Sequence, residues 1–157
     1  MRIHVITTGG SLDVEYTLQG TFAIGPPVVA SLLERARTQH EITLESLCRK
    51  DSATLDDTDR DLIRHRVQET DAEHVLVTHG TDTMTNTAEH LRTITGKVIV
   101  VTGAMQPARM TDSDAPFNLG LAVAALQTLP HGVYIAMSGR IFPAGHARKD
   151  RARGVFV

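Results

Sequence analysis

Two turns rich in threonine and glycine each follow a short apolar run and carry groups that could do chemistry. Residues 7–11 read TTGGS and residues 78–83 read THGTDT. In open α/β sheets, ligands bind at the carboxyl ends of the strands, where such turns expose backbone N–H groups and side-chain oxygens. Thr8 is a candidate nucleophile, because a threonine hydroxyl attacks a carbonyl carbon once a base or relay takes its proton. The alternative is a simple strand-to-loop turn, with glycines for positive φ and hydroxyls that bond backbone groups.

The second turn and a late lysine could supply the rest of such a relay. Thr81 offers a second hydroxyl, and the Asp82 carboxylate could hold a substrate ammonium group unless it only caps a helix. Lys149 would complete the set if it lay desolvated against Thr81, because lysine changes its pKa readily on burial. Otherwise Lys149 is a solvated member of the basic run 148–153.

Short β-branched runs alternating with helical patterns must position these turns. The predicted strands are residues 3–7, 42–48, 74–78, 98–102 and 133–137. Apolar residues at helical spacing lie between them, in residues 28–36, 55–67 and 84–94. This order predicts an α/β fold with a doubly wound, mostly parallel sheet. The length predicts that residues 1–157 form a single domain.

One further helix is predicted to begin at Asp114, with Pro116 in its first turn. From residue 115 to residue 139 there is no Asp, Glu, Lys or Arg. A helix that is apolar on all sides must be buried. Either its own domain covers it, as a central helix, or a second copy of the chain does so in a homodimer.

Composition excludes several classes of function. The net charge is −2 over 157 residues, without a basic stripe, so no nucleic acid partner is expected. Cys48 is the only cysteine and the eight histidines have no ligand spacing, so neither a disulfide nor a metal site is expected. No apolar stretch is long enough for a membrane span or a signal peptide, so a cytoplasmic location is expected.

Taken in order and spacing, the motifs resemble the bacterial-type L-asparaginases, or glutaminase-asparaginases, over nearly the whole chain. The residues that carry the resemblance are 7–11, 51–52, 79–84, 102–107, 113–119 and 132–149. It implies that Thr8 attacks the side-chain amide carbon of L-asparagine and forms an acyl-enzyme, from which water releases L-aspartate. Thr81, Asp82 and Lys149 are similar to the family's buried Thr–Asp–Lys group, which assists proton transfer.

The resemblance also implies how the substrate binds, without any cofactor. Ser52 anchors the substrate α-carboxylate and Asp82 its α-ammonium group. Backbone N–H groups near Gly9 and Thr81 stabilise the oxyanion. The positions expected to contact substrate are Gly9, Asp51, Ser52, Gly80, Thr81, Asp82 and Ala104.

Three departures from the family pattern bear on activity. Phe22 stands where the family has a loop tyrosine that activates the nucleophile, so the base is either Tyr16 or Lys149 acting through Thr81. We prefer Tyr16 as the base. The alternative is that Tyr16 is an ordinary strand residue of a hairpin closed near residues 19–20. Ala53 replaces a glutamine, and losing such a hydrogen bond costs roughly 0.5–1.5 kcal/mol of binding.

The third departure is that the chain resembles the short branch of the family, in which the C-terminal domain is absent. This implies weaker substrate affinity and a homodimer or higher homo-oligomer. Two other functions stay open: a non-catalytic module that binds asparagine or aspartate, and a hydrolase that prefers glutamine or another small primary amide. One methylene group discriminates by only about 1–3 kcal/mol, so the residues do not decide between asparagine and glutamine.

Overall fold

A computed structural model describes residues 1–157 and contains a central sheet of six strands. Its strands are β1 (Arg2–Gly9), β4 (Glu41–Lys50), β5 (His74–Thr78), β6 (Val98–Thr102), β7 (Gly132–Met137) and β8 (Arg140–Pro143). Their spatial order is β4-β1-β5-β6-β7-β8. All neighbouring strands are parallel except β8, which pairs antiparallel with β7. The predicted α/β fold with a mostly parallel sheet is therefore confirmed.

Two short antiparallel hairpins lie outside this sheet. The first joins β2 (Val14–Tyr16) to β3 (Phe22–Ile24), and the second joins β9 (Lys149–Asp150) to β10 (Val155–Phe156). The sequence pattern predicted neither β8 nor the second hairpin. The hairpin turn predicted near residues 19–20 is confirmed, because Gly20 N–H donates to the Thr17 carbonyl at 3.0 Å.

Helices cover both faces of the sheet, as parallel strands require. The helices are α1 (Val29–Arg35), α2 (Asp57–Glu69), α3 (Met84–Leu91) and α4 (Ala115–Thr128). One apolar cluster joins α1 and α4 to the first face of the sheet, and a second joins α2 and α3 to the opposite face. Because β5 and β6 are apolar on both faces, their turns are held rigidly at the carboxyl edge of the sheet.

The uncharged helix α4 is buried on one side only. Seven of its 14 residues are buried, and they pack on its own sheet, whereas Phe117 stays 66% exposed. The helix does begin at the predicted cap, but the Asp114 side chain makes no capping bond. Its carboxylate accepts instead from the backbone N–H groups of Met105 and Gln106, both at 3.0 Å, and so fixes the loop after β6. No helix of the structure has the length and apolar character that crossing a bilayer requires.

Candidate active site

The turns that follow β1, β4 and β5 meet at one edge of the sheet. These three strands are adjacent and parallel, so their carboxyl ends coincide. Gly10 lies against the backbone of Gly80 so closely that a β-carbon on Gly10 would clash with it. A β-carbon on Gly80 would lie 2.7 Å from that of Ser52. The two glycine turns and the loop after β4 therefore pack together only because glycine occupies both turns.

Thr8 lies at the end of β1 and is fully buried. Its hydroxyl donates to the backbone carbonyl of Thr78 at 3.0 Å, across to the neighbouring strand β5. A backbone carbonyl is not a base, so this contact orients the hydroxyl without activating it. Activation requires the Thr8 hydroxyl to turn toward another acceptor.

Lys149, Thr81 and Asp82 form a hydrogen-bonded group beside this edge. Lys149 Nζ donates to Thr81 Oγ1 at 2.7 Å and to Asp82 Oδ1 at 2.8 Å. The Lys149 side chain is only 14% exposed, so the alternative of a solvated lysine in a basic run is wrong. The hydrogen bond from Lys149, and secondarily the charge of Arg151, lower the pKa of Asp82, which stays ionised.

The carboxylate of Asp82 does not cap the following helix. Helix α3 begins at Met84, its cap position is Thr83, and no side chain makes a capping bond there. The Asp82 side chain is 34% exposed at the edge of the sheet. Its position suits a contact with a ligand better than the alternative role of a helix cap.

Ser52 connects the loop after β4 to the turn after β5. Its hydroxyl oxygen accepts from Asp82 N–H at 3.1 Å, and its carbonyl accepts from the Thr83 hydroxyl at 2.7 Å. Ser52 is buried, and its hydroxyl donates no hydrogen bond within the chain. The neighbouring Asp51 is exposed and accepts from Ala53 N–H at 2.9 Å, which stabilises the short turn that positions Ser52.

The structure does not bring Tyr16 to Thr8. The phenol lies on the β2–β3 hairpin, 67% exposed, and its ring packs edge-on against Phe22 at 5.3 Å between centroids. No hydrogen bond joins its hydroxyl to any other group. Tyr16 is therefore a strand residue of the predicted hairpin in this conformation, and its role as base stays a prediction.

Ala104 and His79 are buried beside the site. Ala104 is fully buried in the first apolar cluster, so only its backbone can face a ligand. His79 is fully buried too, with Nδ1 2.8 Å from the Gly80 carbonyl oxygen and Nε2 2.8 Å from the Thr87 hydroxyl. Burial lowers the pKa of His79 to about 4, so the ring is neutral at pH 7 and supports the turn structurally.

Two residues near the site were not found by reasoning from sequence. Arg151 places Nη1 3.0 Å from Asp82 Oδ1, which Lys149 also contacts. Asp13 is buried two residues after the first motif, and its carboxylate accepts from Val28 N–H at 3.0 Å. No spacing signal identifies either residue, because both depend on how the hairpins lie beside the sheet. No group of three or more His, Cys, Asp or Glu side chains is arranged to hold a metal ion.

Known proteins resemble this chain over nearly its whole length. Residues 2–155 match the family described as asparaginase, N-terminal. The glutaminase-asparaginase of Acinetobacter glutaminasificans is 33% identical over 171 aligned residues, covering 99% of this chain and 50% of that protein.

Solved structures show the same fold. The thermostable L-asparaginase from Thermococcus kodakarensis superposes with a TM-score of 0.88 at 26% identity, over 100% of this chain and 51% of that chain. A probable cytoplasmic L-asparaginase from Campylobacter jejuni gives a TM-score of 0.81 at 28% identity, over 99% of this chain and 50% of that one. The chain spans about half the length of the relatives it matches. Because the family match covers nearly every residue, the chain belongs to the asparaginase family and corresponds to its N-terminal domain.

Proposed function

We propose that this chain hydrolyses the side-chain amide of L-asparagine to L-aspartate and ammonia through an acyl-enzyme on Thr8. The observation that carries the proposal is the Lys149–Thr81–Asp82 group, which shares one sheet edge with the end of β1. The relatives named glutaminase-asparaginase and L-asparaginase support an amide substrate.

The proposed reaction has two stages. Thr8 Oγ1 attacks the amide carbon and loses its proton, and the new C–O bond forms as the carbonyl oxygen becomes an oxyanion. Backbone N–H groups near Gly9 and Thr81 stabilise that charge. The amide nitrogen then takes a proton and leaves as ammonia, and water hydrolyses the ester to release aspartate and restore Thr8.

Substrate recognition in this proposal rests on the two loops that flank Thr8. The Ser52 hydroxyl donates to the substrate α-carboxylate, and the Asp82 carboxylate accepts from its α-ammonium group. Asp51, Gly80 and the backbone of Ala104 border the same space. Because Ala53 offers no side-chain donor, the substrate α-carboxylate is bound more weakly.

Two routes are open for the proton of Thr8. Thr81 already accepts a hydrogen bond from Lys149, which supports a relay through these two side chains. Tyr16 serves as base only if the β2–β3 hairpin folds over the edge, because its phenol is exposed in this conformation. Tyr16→Phe separates the two routes: a relay through Lys149 predicts unchanged turnover, and the Tyr16 route predicts a loss of about 10²–10⁴-fold.

The nucleophile is tested by Thr8→Val with Thr7→Val as its matched control. The two threonines are adjacent, both are fully buried, and the hydroxyl of Thr7 has no hydrogen-bond partner. We expect Thr8→Val to abolish ammonia release from asparagine and to remove the acyl-enzyme from the mass spectrum, whereas Thr7→Val remains active. Wild-type turnover by a folded Thr8→Val protein would exclude Thr8 as the nucleophile.

A second candidate function is a module that binds asparagine or aspartate without hydrolysing it. The hydrogen bond from the Thr8 hydroxyl to the Thr78 carbonyl favours this candidate, because it engages the hydroxyl with a group that cannot take its proton. Calorimetry separates the two functions: binding of asparagine without ammonia release supports the module. If turnover is found, the ratio of kcat/KM for asparagine and glutamine decides the preferred amide.

We further propose that the chain acts in the cytoplasm as a homodimer or higher homo-oligomer. The uncharged helix α4, whose exposed face carries Phe117, is the surface that we assign to the contact between copies. Light scattering coupled to size-exclusion chromatography tests this directly. A monomer at all concentrations would contradict it.

A further inference from the structure

One carboxylate oxygen at the candidate site is shared by two cations. Asp82 Oδ1 lies 2.8 Å from Lys149 Nζ and 3.0 Å from Arg151 Nη1. The two cations differ in burial, since the Lys149 side chain is 14% exposed and that of Arg151 is 71% exposed. Lys149 also binds Thr81 and is therefore fixed, whereas Arg151 reaches the oxygen from the turn between β9 and β10.

This arrangement changes what Asp82 offers to a ligand. Two cations around one carboxylate leave this group with one net positive charge before any ligand arrives. An α-ammonium group that approaches Asp82 meets the two positive charges of Lys149 and Arg151. Both cations bind Oδ1, so the ammonium group either binds Oδ2 against their repulsion or displaces the guanidinium from Oδ1. A ligand carboxylate meets the opposite situation, because the excess charge attracts it.

We infer that Arg151 is a specificity-determining residue that competes with the ligand's α-ammonium group for Asp82. The substrate class is therefore small ω-amide carboxylates and their dicarboxylate products, recognised with reduced dependence on an α-ammonium group. The inference rests on the proposed function in one respect, namely that Asp82 faces the substrate α-carbon.

The exposure of Arg151 sets the size of the effect. Ion pairs between exposed side chains are weak, because solvent screens the charges and the side chains lose freedom. Competition by such a pair reduces the selectivity for an ammonium-bearing ligand by about 1.4- to 5-fold. Arg151 thus weakens the selectivity for amino acids without abolishing it.

Succinate and L-aspartate provide the test, because they differ only in the α-ammonium group. The dissociation constants of both ligands are measured by calorimetry for the wild type, Arg151→Ala and Arg153→Gln. Arg153 is the matched control, since it is an exposed arginine of the same turn whose partner is Asp150 at 2.8 Å. We expect the ratio Kd(succinate)/Kd(aspartate) to rise about 1.4- to 5-fold in Arg151→Ala and to stay unchanged in Arg153→Gln.

The ratio isolates the ammonium group, because a general loss of affinity affects both ligands equally. An unchanged or lowered ratio in Arg151→Ala would overturn the inference, as would the same rise in Arg153→Gln or a failure of both ligands to bind. The proposed hydrolysis is tested separately, by ammonia release from asparagine and from succinamate, which lacks the α-ammonium group. If the binding ratios behave as expected and neither amide is hydrolysed, the inference stands and the proposed activity fails.

Discussion

Replacement of Asp13 by asparagine should stabilise this protein at neutral pH. Asp13 is the only acidic residue in the buried set, with 1% of its surface exposed. Asparagine has nearly the same shape, and its side-chain oxygen can still accept from Val28 N–H, now at 3.0 Å from the carboxylate. The backbone carbonyl of Asp13 continues to accept from Gly25 N–H. The substitution therefore removes the buried charge and keeps both hydrogen bonds, although the new amide N–H donors, if left unpaired, offset part of the gain.

The magnitude follows from the pKa of the carboxyl group. Burial raises the pKa of Asp13 from 3.8 to about 6. Between these values the native state binds more protons than the unfolded state, so the free energy of unfolding falls as pH rises from about 4 to about 6. The shift of about two units corresponds to about 3 kcal/mol, which is lost in full at pH 7. Asp13→Asn should recover up to about 3 kcal/mol at pH 7 and nothing below pH 4.

His79 titrates over nearly the same range with the opposite sign. Burial lowers its pKa from 6.5 to about 4, so the unfolded state binds more protons in this interval. Stability from neutral His79 is therefore present above pH 6.5 and is lost as pH falls toward 4, by about 3 kcal/mol. In the wild type the two groups nearly offset each other. In Asp13→Asn only the His79 contribution remains. The free energy of unfolding of this variant should therefore fall by about 3 kcal/mol as pH decreases from 6.5 to 4.

Urea unfolding followed by circular dichroism, at several pH values between 4 and 7, measures these free energies. Asp71→Asn is the matched control, because the side chain of Asp71 is 82% exposed. We expect the control to follow the wild-type profile. If Asp13→Asn were less stable than the wild type at pH 7, Asp13 would be an ion stabilised by the Val28 N–H and by Arg109, whose Nη1 lies 3.4 Å from the Asp13 backbone carbonyl. A difference that did not change with pH would mean that folding leaves the pKa of Asp13 unshifted. The reasoning from desolvation would then be refuted.

Two other substitutions test the site and its support. Lys149→Met should lower kcat by about 10²–10⁴-fold. Lys97→Met is the control and should leave kcat unchanged, because Lys97 is a partly buried lysine that bonds only backbone carbonyls. Equal losses in both variants would contradict a specific role of Lys149. Gly10→Ala should destabilise the protein by clearly more than Gly96→Ala in urea unfolding. Both glycines have positive φ, at 81° and 74°, but Gly10 has ψ −173°, a region essentially confined to glycine that costs other residues about 1–3 kcal/mol. Gly10 also lies against Gly80, whereas Gly96 has open space around its α-carbon. Equal losses would show that the turns do not need their close approach.

The sheet was predictable where burial on both faces leaves a strong signal. The predicted bounds of β5 and β6 agree with the structure, because each is a continuous apolar run covered on both sides. The strands of the second hairpin have two residues each, which is too short for any periodic pattern. Asp114 illustrates a different limit: its residue type predicts a helix cap, whereas the fold uses its carboxylate to hold the loop after β6.

The candidate site was predictable only in part. The glycine turns predict that a ligand binds at the carboxyl edge of the sheet. The contact between Thr81 and Lys149, however, joins residues 68 positions apart and was inferred from the family resemblance. The burial of Asp13 and the reach of Arg151 depend on how short hairpins pack beside the sheet. Residue type and spacing contain no information about that packing.

The rigid and the adaptable parts of the site belong to different elements. Thr8 and Gly80 lie at the ends of the central strands β1 and β5, and Ser52 lies just after the edge strand β4; neighbouring turns fix the backbone at all three. Tyr16 and Arg151 lie on two-stranded hairpins, which are marginally stable by themselves.

Each hairpin is therefore positioned by a few anchoring contacts. Asp13 holds the first through Gly25 N–H at 2.9 Å and Val28 N–H at 3.0 Å. The second is held by Lys149 and by the Phe156 N–H donating to the Ser138 hydroxyl at 3.0 Å. In the proposed reaction the turns at the strand ends supply the Thr8 hydroxyl and the Asp82 carboxylate, and the hairpins supply Lys149 and Tyr16. We therefore expect small changes in these anchors to alter activation and selectivity without disturbing the sheet.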